Sequence, residues 1–240
     1  MTEWFADWFG HTYLDLYPHR DDEDARQAVA LIAANVPLAD ARILDLACGQ
    51  GRHAVQLNAL GARIVGVDLS SVLLIKARYG NPPVRDLVRA DMRRLPFRRG
   101  VFDVVVNLFT SFGYFGNDAE HDGVLKTVAE LLVEGGWFVI DFLNADQVRD
   151  GLIPSERVDV SGRTIDVKRR LLEQGAYVQK EMHVLEEGTR HVERVRLFSA
   201  VELTGMITAA GLTVVDRFGN YEGGPLVVNS PRAILFARKS

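Results

Sequence analysis

The sequence predicts a doubly wound α/β fold on a mostly parallel sheet, interrupted late in the chain by an antiparallel β insertion. Three observations carry this. Short apolar, β-rich runs at 43–47, 64–69, 87–91, 102–108 and 137–143 alternate with helix-compatible segments, the grammar of repeated strand–helix crossovers. The first run enters the turn Cys48-Gly-Gln-Gly-Arg-His53 and the second ends on Asp68, the spacing of a nucleotide-binding edge. Residues 156–198 instead alternate polar and apolar side chains between Ser161-Gly162, Gln174-Gly175 and Glu187-Gly188, as half-buried hairpins do.

The elements follow in order. Trp4, Phe5, Trp8 and Phe9 share one stripe of a short helix; without a basic face this is a core or lid contact rather than a membrane anchor. From Asp21, acidic residues fill the first turn of a helix with Ala25, Val29, Ile32 and Ala33 on one face until Pro37. Residues 1–36 therefore form an N-terminal helical segment and candidate lid. Ser70 can cap a helix carrying Val72, Leu73, Ile75 and Lys76 that stops at Gly80. Asp118 opens another, with Val124, Leu125, Val128, Leu131 and Leu132 inward and Gly135-Gly136 at its end. The β insertion spans 146–198, a cover for the substrate or a dimer contact. Ser199-Ala-Val-Glu202 is a capping-box pattern that starts a helix through Ala210. Runs at 213–218 and 233–237 complete a core made of 37–145 and 199–240.

Composition narrows the function classes. The formal charge of −4 over 240 residues offers no global field for nucleic acid or an anionic membrane, and no segment reaches spanning length. The arginine clusters at 93–94, 98–99, 169–170 and 190–196 read as solvated faces and cross-strand charge pairs. Cys48, the single cysteine, excludes an internal disulfide and suits a reducing cytoplasm. Inside a tight turn it reads as a small packed residue, not a nucleophile.

Each of the first five runs ends on or near a carboxylate or amide: Asp45, Asp68, Asp91, Asn107 and Asp141. In a parallel sheet these ends share one edge, where open α/β sheets bind ligands. Gly49 and Gly51 let the backbone turn and approach a ligand, and Asp68 can accept two hydrogen bonds from a ribose diol. Gly-Gln-Gly-Arg-His-Ala also satisfies the dinucleotide fingerprint, so a nicotinamide-dependent oxidoreductase stays open on this motif alone.

The order of motifs resembles the class I S-adenosylmethionine-dependent methyltransferases across about residues 40–145. Ile43-Leu-Asp-Leu-Ala-Cys-Gly-Gln-Gly51, Val65-Gly-Val-Asp-Leu-Ser70 and Arg89-Ala-Asp-Met-Arg-Arg-Leu-Pro-Phe97 are similar to its first three motifs. Phe102-Asp-Val-Val-Val-Asn107 and Leu131-Leu-Val-Glu-Gly-Gly-Trp-Phe138 continue the series. The resemblance implies a seven-stranded sheet with an antiparallel C-terminal strand. It further implies methyl transfer from S-adenosylmethionine to the O or N of a small-molecule acceptor by in-line displacement. Asp45 would organise the first loop, backbone near Ala47, Gly49 and Gly51 would hold the methionine end, and Asp68 would clasp the ribose. Asp91 and Met92 would meet the adenine edge, Leu69 and Met92 its faces, and Asn107 and Leu108 the floor near the sulfonium. Tyr13, Tyr17 and Arg20 would touch the methionine portion from the N-terminal segment.

The segment after the fourth strand, Asn107-Leu-Phe-Thr-Ser-Phe-Gly-Tyr-Phe115, departs from the Asn/Asp-Pro-Pro-Tyr/Phe signature of methyltransferases that act on nucleic-acid bases. Phe112, Tyr114 and Phe115 are its candidates for an aromatic acceptor pocket. His19, Tyr114 and His121 are candidates to orient or deprotonate the acceptor, whereas His53 reads as a helix-start or surface residue. No metal is expected: Asp141 with Asn144 reads as strand-end structure. A homodimer is compatible with the polar strands of the insertion. A noncatalytic S-adenosylmethionine-binding regulatory subunit is the alternative from a different class.

Overall fold

The apolar runs become strands because each presents branched side chains to both faces of a sheet covered by helices. In the computed structural model, which describes residues 3–17 and 22–240, these are β1 (Arg42–Leu46), β2 (Arg63–Asp68), β3 (Leu87–Arg89), β4 (Phe102–Asn107) and β5 (Leu132–Leu143). They pair in parallel. A four-stranded meander follows, β6 (Ser155–Val160), β7 (Arg163–Leu172), β8 (Tyr177–Val184) and β9 (Thr189–Arg196), then β10 (Leu212–Phe218) and β11 (Arg232–Lys239). The large sheet has the order β10-β11-β5-β4-β1-β2-β3, with β11 antiparallel to both neighbours.

Eight α-helices are described: α1 (Trp4–Trp8), α2 (His11–Leu16), α3 (Asp22–Asn35), α4 (Arg52–Ala59), α5 (Ser71–Arg78), α6 (Asp118–Leu131), α7 (Ala145–Asp150) and α8 (Ala200–Ala209). Residues of α3 and α4 pack with Ile43, Val104 and Val139 on one face of the sheet; those of α6 and α8 pack with Leu44, Val105 and Ile140 on the other. Each such side chain, fully buried, contributes roughly 1.5–3 kcal/mol. Ser70 caps α5 by accepting from the Leu73 amide, and Ser199 with Glu202 forms the expected capping box of α8.

Three local expectations change. Ala33 is exposed, and Ala28 and Leu31 take its place inward on α3. Leu132 is the first residue of β5 rather than the last of α6. Gly135-Gly136 lie inside that strand as a bulge, not at a helix end: Phe102 faces Leu132 while Val104 already faces Trp137. Gly135 has φ +74°, and a Cβ on Gly136 would stand 2.8 Å from the Val133 carbonyl oxygen, so both glycines are required by the bulge.

The turns of the meander fall where the sequence places them, with φ +79° at Gly162, +86° at Gly175 and +66° at Gly188. One face of this small sheet buries Ile165, Val167, Met182 and Val184 against Trp8, Tyr13 and Leu16 of the N-terminal helices and Leu73 of α5. Phe5 of the same aromatic stripe joins the main core. The N-terminal segment thereby bridges the insertion and the carboxyl edge of the large sheet.

Candidate functional site

After β1 the chain makes a tight loop with φ +62° at Ala47, +56° at Gly49 and +82° at Gly51. Only glycine fits at Gly51, where a Cβ would stand 2.7 Å from Val84 Cγ2. Cys48 is packed beneath, and burial pushes its thiol well above the ordinary range. Asp68, at the end of β2, ties the loop down: Oδ2 accepts from the Gly49 amide and Oδ1 from the Ser70 amide, both at 2.8 Å. Asp45 lies just under this loop, buried, with Oδ2 lacking a partner. Burial, and then the neighbouring Asp68 charge, push its carboxyl up to about 7 against the pull of Arg52.

A cavity opens on this edge, walled by Ala47, Gly49, Asp68, Leu69, Asp91 and Met92, with Leu108 at its floor and Phe9, Tyr13, Tyr17, Tyr114 and Phe115 above. The Ser70 hydroxyl donates to the Phe9 carbonyl and so pins the N-terminal segment over the loop. Asp91 is gripped by Arg93, whose Nε reaches both of its oxygens at 3.1 Å. The same guanidinium pairs with Glu3 and Glu120 at 2.6 Å each and lies 4.8 Å from the Phe115 ring centre. Partial burial works to raise the Asp91 pKa, but Arg93 outweighs it and holds the carboxyl below its ordinary value. Arg93 is thus a hub joining three segments, not a solvated charge.

Several expected site residues lie elsewhere. Asp45 and Gly51 support the loop from beneath and do not line the cavity. Asn107 points inward, donating from Nδ2 to the Leu46 carbonyl at 2.9 Å. Phe112 is buried against Phe142, Phe198 and His121. His121 is fully buried in the same aromatic cluster; its Nδ1–H donates to the Asn117 carbonyl at 3.0 Å and its Nε2 accepts from the Phe115 amide at 3.4 Å. Burial lowers its pKa to about 4, so it is a structural residue that cannot reach an acceptor. His19 and Arg20 lie outside the described residues. Asp141 is saturated by Arg232 (2.7 Å), Tyr221 (2.8 Å) and the Phe109 amide (3.0 Å), and Asn144 donates to three carbonyls of the loop before β11. Among the described residues no cluster of His, Cys, Asp and Glu is placed to hold a metal.

His53 corrects the reading in the other direction. It is buried on the cavity wall with Nε2 unpartnered, and burial lowers its pKa to about 4, so it stands there as a neutral imidazole.

A second cavity of about 440 Å³ adjoins the first and shares Tyr17, Phe109 and Tyr114 with it. Its far wall comes from the insertion, with Glu156, Arg169, Lys180 and Glu193. Arg169 pairs with Glu156 at 2.5 Å, Lys180 donates to the Tyr17 hydroxyl at 2.6 Å, and that hydroxyl donates to Glu193 at 2.8 Å. The Tyr114 hydroxyl donates to the Thr110 carbonyl at 2.6 Å. The sequence marked Arg169 only as part of a basic run and gave Lys180, Glu193, Phe109 and Thr110 no role. The one signal for the last two, a bend straight after β4, appears as φ +56° and +64°.

The residues of the first cavity fit an adenosyl ligand. The cavity offers a carboxylate fixed by two amides and a second one held by Arg93; beneath it lie a loop in which a Cβ at Gly51 would collide and a buried Asp45 oxygen without a partner. Residues 43–136 match the model of a family described as a methyltransferase domain. A dTDP-3-amino-3,6-dideoxy-alpha-D-glucopyranose N,N-dimethyltransferase of Streptomyces fradiae is 30% identical over 218 residues, covering 88% of this chain and 84% of that protein. A dTDP-3-amino-3,4,6-trideoxy-alpha-D-glucopyranose N,N-dimethyltransferase of Streptomyces venezuelae is likewise 30% identical, covering 87% and 90%. The solved structure of the CcbJ methyltransferase from Streptomyces caelestis superposes with a TM-score of 0.79 at 25% identity, covering 98% of this chain and 99% of that one. Fold, loop geometry and similarity agree: the chain belongs to the class I S-adenosylmethionine-dependent methyltransferases.

Proposed function

We propose that this methyltransferase acts on the amino group of a small polar acceptor, an amino sugar carried on a nucleotide. The observation that carries the reading is the second cavity, charged on its far wall and joined to the cofactor cavity at Tyr17, Phe109 and Tyr114. Similarity over most of the chain to two amino-sugar N,N-dimethyltransferases supports it.

S-adenosylmethionine supplies a methyl group already activated on a cationic sulfur. The chain's task is then to bind, align and exclude water, and alignment alone can supply roughly 7–11 kcal/mol. In this reading Asp68 accepts from the ribose hydroxyls, Asp91 from the adenine amino group with Met92 along the ring edge, and Leu69 and Met92 pack on the ring. The amides of the loop around Ala47 and Gly49 hold the methionine end together with Tyr13 and Tyr17, and Leu108 forms the floor. Arg20 remains the candidate partner of the methionine carboxylate. Tyr114 and Phe115 border the passage to the acceptor, and Tyr114 orients it.

The insertion at 146–198 and the N-terminal segment together cover the site, since α1 and α2 pack on the insertion's sheet. Pairing of two chains through edge strand β6 is the competing use of the insertion. A reducing cytoplasm suits the buried single thiol of Cys48. No helix among the described residues is long and apolar enough to cross a membrane.

The test is a panel of nucleotide-linked amino sugars and their hydroxyl counterparts, with S-adenosylhomocysteine and methylated product read by mass spectrometry. Methylation of the amines is expected. Transfer only to hydroxyl or carboxyl acceptors, or binding without turnover, would contradict the reading.

A further inference from the structure

We propose that Glu193 is the residue that selects an amine over a hydroxyl acceptor, an inference that rests on the amino-acceptor reading above. The carboxylate is held at one oxygen only. Oε1 accepts from Trp8 Nε1 and from the Tyr17 hydroxyl, both at 2.8 Å. Oε2 has no hydrogen-bond partner among the described residues, and Glu193 lines the second cavity. Two rigid aromatic donors from the N-terminal segment therefore fix the orientation of the group without neutralising it.

The other charges around this cavity are spoken for. Arg169 is paired with Glu156, and Arg232 with Asp141. Lys180 stands directly opposite Glu193 in the β8–β9 register, yet its ammonium donates to the Tyr17 hydroxyl and lies 4.6 Å from that ring's centre. The order Lys180–Tyr17–Glu193 gives the Tyr17 hydroxyl a fixed polarity, accepting from one side and donating to the other. Its proton is directed at Glu193, which leaves the carboxylate as an acceptor of N–H bonds. A half-buried carboxylate with one oriented, unpartnered oxygen favours an ammonium, where both partners of the hydrogen bond carry charge, over a neutral hydroxyl, where only the carboxylate does. A hydroxyl at the same place has one proton and no charge to offer.

Because Tyr17 also borders the cofactor cavity, the device sets the amine end of the acceptor at the junction of the two cavities. Glu193 is thus a specificity-determining residue, and the lid segment its positioning element.

The experiment compares dTDP-3-amino-3,6-dideoxy-α-D-glucose with its 3-hydroxy counterpart, measuring affinity by calorimetry in the presence of S-adenosylhomocysteine and turnover separately. It uses the full chain as wild type, Glu193→Gln and Glu193→Asp. Glutamine keeps an acceptor for Trp8 and Tyr17 but removes the charge, so fold and lid contacts persist; Trp8 fluorescence and unchanged S-adenosylmethionine affinity verify this. The wild type should prefer the amine by at least about tenfold in Kd, as expected for one charge-assisted bond. Glu193→Gln should bring the preference close to one, mainly through weaker amine binding, and Glu193→Asp should restore part of it. A Gln variant that keeps the full amine preference overturns this inference while leaving the amino-acceptor reading intact. A wild type that binds and methylates no amine removes that reading and this inference with it.

Discussion

Replacing Asp45 by Asn should make the ligand-free protein more stable, and increasingly so as the pH rises. The carboxyl is buried, one of its oxygens has no partner, and its pKa stands at about 7 against an ordinary 3.8. A raised carboxyl pKa means that the folded state holds a proton that the unfolded chain has already lost, so stability falls between about pH 4 and pH 7. For this single group the linkage amounts to roughly 2 kcal/mol at pH 5 and roughly 4 kcal/mol at pH 8. The stability gap between Asp45→Asn and wild type should therefore widen by roughly 2–3 kcal/mol over that range. Taking the change in the gap removes the effect of packing an amide there, which does not titrate. Urea unfolding at pH 5 and pH 8, followed by tryptophan fluorescence, measures it. A gap of the same size at both pH values would refute the assignment of Asp45 as a desolvated carboxylate.

Other perturbations follow from the same geometry. Asp68→Ala should weaken S-adenosylmethionine binding by about 10–100-fold in calorimetry, because two charge-assisted acceptors are lost; unchanged affinity would count against its ribose role. His121→Ala should lower stability by about 2–4 kcal/mol through a cavity and two lost hydrogen bonds, yet leave acceptor turnover within twofold below its melting temperature. His53 and His121 both have folded pKa values lowered to about 4 from 6.5. Their neutral forms are favoured by folding, so stability should be lost as pH falls from about 6.5 towards 4, by up to about 3 kcal/mol for each; acid unfolding of the two His→Gln variants, each shallower than wild type, checks it. Arg93→Met should cost about 1–2 kcal/mol, since the guanidinium is partly exposed and solvent screens its three ion pairs, and should also weaken cofactor binding by freeing Asp91.

The sheet was legible because its signals are local. Branched runs ending on Asp45, Asp68 and Asp91, and glycines at 162, 175 and 188, report the conformation of their own few residues. Errors arose where the deciding partner is remote. His121 looked available until Phe198, far along the chain, closed over it, and Arg93 looked solvated until Glu3 and Glu120 arrived from other segments. Asn107 sits at the right edge but turns inward to Leu46, because a strand end fixes the height of a side chain in the sheet and not its rotamer. Gly135-Gly136 read as a helix stop, and the register with β4 makes them a bulge instead. The acceptor cavity was not readable at all. Period-two alternation shows which residues of β7, β8 and β9 share a face, but not that the face meets Tyr17 and Tyr114.

In the proposed function two ligands meet end to end where Tyr17, Phe109 and Tyr114 separate the cavities. A crystal structure with S-adenosylhomocysteine and a nucleotide-linked amino sugar tests it most directly. The adenosine is expected beside Asp68 and Asp91, its sulfur at that junction, and the sugar nitrogen facing it from the side of Glu193. Acceptor density on another surface, such as the groove lined by Val201, Val227 and Val228, would contradict it.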